Sequence, residues 1–150
     1  MSDEVSVSRG IAAPAEQVWA MVSDVTRMPE WSPENQSGTW RGGATGPAKG
    51  AKFRGTNRNA DKTWKTDAVV TAAEPGKRFA FLVKAGPFNV AEWAYDFEPT
   101  TDGCRVTETW TDRRNGLTKA LSKKVSGVDD RASHNEKGMA DTLERLAAAV

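Results

Sequence analysis

From Gln36 to Asp112 apolar and polar residues alternate at period two, and turn-forming pairs break the pattern at short intervals. A helix cannot present one face under that alternation, so about half of the chain is committed to strands. Strands are expected at Gln36–Arg41, Lys52–Asn59, Thr63–Glu74, Lys77–Lys84, Asn89–Glu98 and Gly103–Asp112. The separators are Gly42-Gly43, Asn59-Ala60-Asp61, Pro75-Gly76, Gly86-Pro87 and Thr101-Asp102-Gly103. Links this short join antiparallel neighbours. The longer glycine-rich stretch Gly42 to Gly50 is expected to be a flexible loop.

The two ends read differently. Val5, Val7 and Ile11 alternate with Ser6 and Ser8, as in a half-buried first strand. Pro14 then suits the start of a helix, with Glu16 near its positive end and an apolar face at Val18, Trp19 and Val22. A second short helix or turn is expected over Val25 to Glu30, interrupted by Pro29. Beyond the last strand, Leu117, Leu121 and Val125 recur at four-residue spacing before Gly127 interrupts. Asp129 and Asp130 can cap a final helix to Val150, roughly 30 Å long. Its buried stripe reads Ala132, Asn135, Met139, Leu143 and Leu146. The expected class is α+β: two short helices after the first strand, six more strands, and a long closing helix. No internal repeat or linker divides residues 1–150, which are expected to form a single domain.

Alternation also assigns faces, because the pleat fixes side-chain direction. Phe53, Gly55 and Asn57 share the inner side with Trp64, Thr66, Ala68 and Val70. Phe79, Phe81, Val83, Trp93, Tyr95 and Phe97 continue it, as do Cys104, Val106, Glu108 and Trp110. This face is mainly aromatic, with six tryptophans in the chain against one tyrosine. It carries Asn57, Thr66, Glu108 and Tyr95 as polar points. Aromatics alone pack an ordinary core, but a set with a few polar groups among them is the usual lining of a small-molecule pocket. We read the set as lining a cavity, with Trp31, Trp64, Phe81, Trp93, Tyr95, Trp110 and Met139 as the ligand-binding residues.

Bulk properties exclude several other classes. With 21 basic and 20 acidic residues the net charge is +1, and nucleic-acid binding needs a clear basic excess or face. Cys104 is the single cysteine and His134 the single histidine, so no disulfide, cysteine cluster or histidine-based metal site is expected. No cofactor is expected either. The polar opening Met1 to Glu4 and the lack of a long apolar run argue against a signal peptide or membrane span, which makes a cytoplasmic location the expectation. A chain of this length buries about two-thirds of its unfolded surface and needs no staple.

In its motifs and element order the chain resembles the START-like (SRPBCC, helix-grip) superfamily, close to actinobacterial polyketide cyclase/dehydrase-type proteins. The motifs are Pro14-Ala15-Glu16-Gln17-Val18-Trp19, Trp31-Ser32-Pro33-Glu34, Gly55-Thr56-Asn57-Arg58 followed by Trp64, and Trp93-Ala94-Tyr95-Asp96-Phe97-Glu98. Val106-Thr107-Glu108-Thr109-Trp110 and His134-Asn135-Glu136-Lys137-Gly138-Met139 complete them. The resemblance implies a seven-stranded antiparallel sheet gripping the C-terminal helix over a hydrophobic cavity. It also implies either a carrier of a lipid, fatty acid or polyketide, or a polyketide cyclase/dehydratase. A fold shared by both gives shape more than chemistry.

Glu108 is the sharpest enzymatic candidate. Among Trp110, Val106 and the helix its carboxyl would be desolvated, its pKa raised, and acid–base work made possible. The competing reading pairs it with an arginine, Trp or Asn57. Asn57 and Tyr95 could orient a ligand oxygen, or equally satisfy buried backbone groups. Trp31 to Glu34 either forms part of a cavity entrance or staples the short helices to the sheet. Arg113, Arg114, Lys119, Lys123 and Lys124 make a local basic run. It reads as a solvated face, or as a weak contact for an anionic surface or an acidic carrier protein.

Overall fold

A computed structural model describes residues 4–128 and 130–150. Its sheet has seven antiparallel strands: β1 Glu4–Ile11, β2 Asn35–Arg41, β3 Lys52–Asn59, β4 Lys62–Glu74, β5 Arg78–Ala85, β6 Phe88–Thr100 and β7 Gly103–Asp112. Their spatial order is β1-β7-β6-β5-β4-β3-β2, so each consecutive pair from β2 to β7 is a hairpin and β1 returns to the edge beside β7. Register shifts at Asn35/Ser37, Val70/Ala72 and Val83/Lys84 are bulges, which bend strands and increase local twist. The loop after β2 is tied back to β4, with Gly50 N–H donating to the Val70 carbonyl at 2.8 Å.

Helices close the inner face. α1 is Ala15–Ser23, with Pro14 at its N-cap. A short 3-10 turn, Val25–Arg27, leads into the single-turn α2, Met28–Trp31. Pro29 does not interrupt this turn as the sequence suggested. It sits at the start of α2, where a missing N–H leaves nothing unpaired. α3 is Gly116–Ser126, capped by Asn115 and ended by Gly127 at φ 72°. α4 is Arg131–Ala149; the Asp130 carboxylate caps it by accepting from Ser133 N–H at 3.2 Å. Asp129, the other expected cap, lies outside the described residues.

The inner face carries the residues that alternation put there. Phe53, Ala68, Val70, Phe79, Phe81, Val83, Tyr95, Phe97, Cys104, Val106, Glu108 and Trp110 are all buried. α4 contributes Asn135, Met139, Thr142, Leu143 and Leu146, while Ala132 is half-buried. Leu143 and Leu146 belong to a packed cluster with Phe79, Phe97, Val106 and the α1 residues Val18, Met21 and Val22. Met139 belongs to a second cluster with Ala91 and Trp110. One end of the sheet–helix space is therefore filled by α1, and the other end is where a cavity can remain.

Gly38 of β2 marks how closely the 3-10 turn lies on the sheet. A Cβ there would collide with the Val25 backbone carbonyl. Gly38→Ala should accordingly cost about 1–3 kcal/mol as an overpacked contact, read as a lowered thermal midpoint. An unchanged midpoint would show that the turn lifts off freely.

Candidate functional site

Between the sheet and the N-terminal half of α4 lies a cavity of about 490 Å³. β3 and β4 supply Asn57, Trp64 and Thr66; β5 and β6 supply Phe81, Trp93 and Tyr95; β7 supplies Glu108 and Trp110; α4 supplies Met139. Each strand residue projects inward because it falls on the inner phase of its strand, and Met139 does so from the buried stripe of α4. The lining residues Pro33, Glu34, Ala60, Arg114, Ser122, Arg131 and His134 lie toward the sheet end that carries the β3–β4 turn, and because Pro33 and Ala60 are exposed we take that end as the mouth.

Glu108 is the most consequential polar group in this wall. It is 2% exposed, and its Oε1 has no hydrogen-bond partner among the described residues. Burial pushes its carboxyl up to about 8, and a hydrogen bond with Tyr95 only partly offsets this. Tyr95 is its direct cross-strand neighbour on β6. Its own hydroxyl is held well above the ordinary value, first by burial, then by the charge of Glu108 and their hydrogen bond. At neutral pH the pair thus presents mainly a protonated carboxyl beside a phenol. A neutral carboxyl offers one O–H donor and retains acceptor capacity, which suits a ligand carbonyl or hydroxyl.

Asn57 has a different setting. Its Oδ1 accepts from Asn35 Nδ2 at 3.3 Å and its Nδ2 donates to Thr66 Oγ1 at 3.1 Å. β3 is three strands from β6, about 14 Å along the sheet at ordinary strand spacing. Asn57 is therefore a polar rung of the far wall and does not stand with Glu108 and Tyr95. Trp31 also departs from its expected place. It is 4% exposed and packed in the core cluster, with the Arg27 guanidinium 4.8 Å over its ring, and is not part of the cavity wall. α2 ends at Trp31, which joins the core cluster, while Ser32, Pro33 and Glu34 after it line the cavity.

The mouth holds charged groups that the sequence reading did not connect. Arg131 Nη1 donates to both Glu34 oxygens at 2.9 and 3.0 Å, and His134 Nε2 lies 2.7 Å from Glu34 Oε2. The Arg131 guanidinium also sits 5.9 Å from the Trp64 ring centroid. Opposite, Arg114 binds the buried Asp112 carboxylate through Nε and Nη2, both at 2.9 Å, and donates to Ser122 Oγ at 3.1 Å. The basic run is thus less available than its composition suggests, since Arg113 also pairs with Glu92 at 2.8 Å. Cys104 is buried and its thiol pushed up by that burial. No group of His, Cys, Asp and Glu among the described residues could hold a metal ion.

Comparison with known proteins matches the fold. No curated protein matches the chain at a significant level. Among solved structures, the Polyketide_cyc-like protein Cgl2372 from Corynebacterium glutamicum is 33% identical, with 99% of this chain and 91% of that one covered and a TM-score of 0.67. The di-domain ARO/CYC StfQ from the steffimycin biosynthetic pathway is 13% identical with a TM-score of 0.75, covering 98% of this chain and 50% of that one. CV1439 from Chromobacterium violaceum is 13% identical with a TM-score of 0.74, covering 99% and 97%. The last two likenesses concern the fold alone. Residues 2–150 match the family model described as polyketide cyclase / dehydrase and lipid transport, and the chain belongs to that family.

Proposed function

We propose that this protein binds a small hydrophobic molecule carrying at least one oxygen function, a lipid, fatty acid or polyketide-like compound, in the cavity under α4. The observation that carries this reading is the wall itself: Trp64, Phe81, Trp93, Trp110 and Met139 line the same cavity as a buried carboxyl with one unpartnered oxygen. A volume of about 490 Å³ lies within the range of small-molecule sites, and apolar walls with few polar groups are their usual make-up. Family membership supports the same class of ligand.

Native mass spectrometry of freshly purified protein, followed by solvent extraction, tests the proposal. A co-purifying apolar molecule should be found, and Trp93→Ala should weaken rebinding roughly tenfold while leaving the fold intact, because Trp93 is only half-buried. A clean apo mass, with no tryptophan fluorescence response to fatty acids or polyketides, would mean that the aromatics are only core.

The Glu108–Tyr95 pair favours a second reading, a polyketide cyclase/dehydratase. In that reading the Glu108 carboxyl gives its proton to a ligand carbonyl or departing hydroxyl oxygen. The resulting carboxylate then takes a proton from the adjacent carbon, which restores the acid. Glu108→Gln distinguishes the two: an enzyme should lose turnover by roughly 10²-fold or more with binding nearly kept, whereas a carrier has no turnover to lose.

A further inference from the structure

α3 buries its polar side and exposes its apolar one. Thr118 and Ser126 are buried and Ser122 is half-buried, all on one face. Leu117, Leu121 and Val125 form a stripe on the outer side and are 64%, 49% and 48% exposed. The inward polarity has a local cause, because this face meets the cavity mouth. There Asn59 Nδ2 donates to the Ser126 carbonyl at 2.8 Å, and Arg114 reaches Ser122. The outward leucines have no such explanation among the described residues. Phe88, 42% exposed, stands at the β5–β6 turn, and Ala91 three residues on pairs with Asp112 at the end of β7 that leads to α3. Of the large hydrophobics exposed among the described residues, these four gather at the mouth end, leaving only Val150 elsewhere.

Charge points to what covers this stripe. Residues 113–126 contain Arg113, Arg114, Lys119, Lys123 and Lys124 and no acidic residue. The arginines are paired to the sheet, and Lys119 makes a long 3.8 Å contact with Asp112 while remaining 45% exposed to solvent. A second copy of the chain would set one lysine row against another. An acidic protein would answer the lysines yet still need an apolar groove for the stripe. An anionic bilayer offers hydrocarbon and phosphate in one plane. We propose that α3 docks the protein on an anionic membrane surface, Leu117, Leu121 and Val125 entering the acyl boundary and Lys119 and Lys124 meeting lipid phosphates. No helix among the described residues is long and apolar enough to cross a membrane, so the contact is peripheral. Docking in this pose sets the cavity mouth against the lipid, and it does not depend on which molecule the cavity holds.

The test is co-sedimentation of the full chain with vesicles of phosphatidylcholine alone, or with roughly a third phosphatidylglycerol. Wild type should partition onto the anionic vesicles and not the neutral ones, and added salt should release it. The double variant Leu117→Ser/Leu121→Ser should lower that partition roughly tenfold or more through lost apolar burial. Lys119→Gln/Lys124→Gln should do so through lost charge. Leu117, Leu121 and Lys124 are exposed surface groups and Lys119 loses only a long 3.8 Å contact with Asp112, so thermal midpoints close to wild type are expected. Absence of binding to anionic vesicles at low salt would overturn the proposal, as would binding indifferent to the leucine pair. So would a wild-type dimer that the leucine variant converts to monomer, or an acidic protein captured by a chain that ignores vesicles.

Discussion

Glu108→Gln should make the protein more stable than wild type at about pH 9 by several kcal/mol, and should change it little at about pH 5. The sign follows from where the proton resides. In the folded protein burial holds the Glu108 carboxyl up to about 8, against an ordinary value of 4.5. Between those values the unfolded chain has released this proton and the folded chain keeps it, so stability falls as pH rises. Each pH unit of that window costs about 1.4 kcal/mol, which makes the whole on the order of 4–5 kcal/mol. Glutamine keeps the shape and the hydrogen bonding without the proton, so the variant escapes the loss. Carboxylates such as Asp67 and Asp112, held below their ordinary values, act in the opposite sense but are shared by both proteins. Urea unfolding of the two proteins across this range measures the difference directly. A gap that does not widen with pH would mean that the buried carboxyl ionises without penalty.

Asp112→Ala should destabilise the protein by about 3–5 kcal/mol, the range for leaving a buried charge without its partner. Asp112 is 3% exposed, and the Arg114 side chain is 9% exposed. Burial alone would raise the Asp112 pKa, but the hydrogen bonds and charge of Arg114 outweigh it and hold the carboxyl below its ordinary value. Alanine would strand the guanidinium at the mouth and also release the Arg114 N–H, which the Asp112 carboxylate accepts at 3.0 Å. Pairing the substitution with Arg114→Met should recover most of the loss, because replacing both members of a buried pair is often close to neutral. The double-mutant cycle is read by urea unfolding. A single-variant cost under about 1 kcal/mol would place the pair in the class of solvent-screened surface bridges.

How far the sequence could be read follows from the range of the forces involved. The inner face was legible because the strand period is local: once Trp93 faces in, Tyr95 and Phe97 must follow. The family motifs, Trp93 to Glu98 among them, added the grip of the sheet on the last helix. Burial of Glu108 followed from the same alternation, but its alignment with Tyr95 was not expected: the sequence reading paired it with an arginine, a tryptophan or Asn57. Contacts between distant segments were not legible. Glu34 meets Arg131 and His134 across some hundred residues, and no local pattern couples them. Asn57 was on the correct face, but its distance from Glu108 depends on how many strands intervene. Trp31 was misplaced because one turn of α2 decides whether it faces cavity or core. The orientation of α3 could not be inferred either, because its stripe has the spacing of a buried helix and only the polar mouth beneath it turns the leucines outward.

The strand order has a consequence for how the molecule is made. β1 is made before the other strands, yet among the described residues its only partner in the sheet is β7, and the Ser6–Thr109 hydroxyl pair spans 103 positions. The intervening hairpins can each zip up from a tight turn as they emerge. β1 has no such local mate, so Val5, Val7 and Ile11 wait unpaired until nearly the whole sheet has been synthesised. Closing so long a loop is slow compared with hairpin formation. The first strand of the sheet to be made is thus the last to be stitched into it.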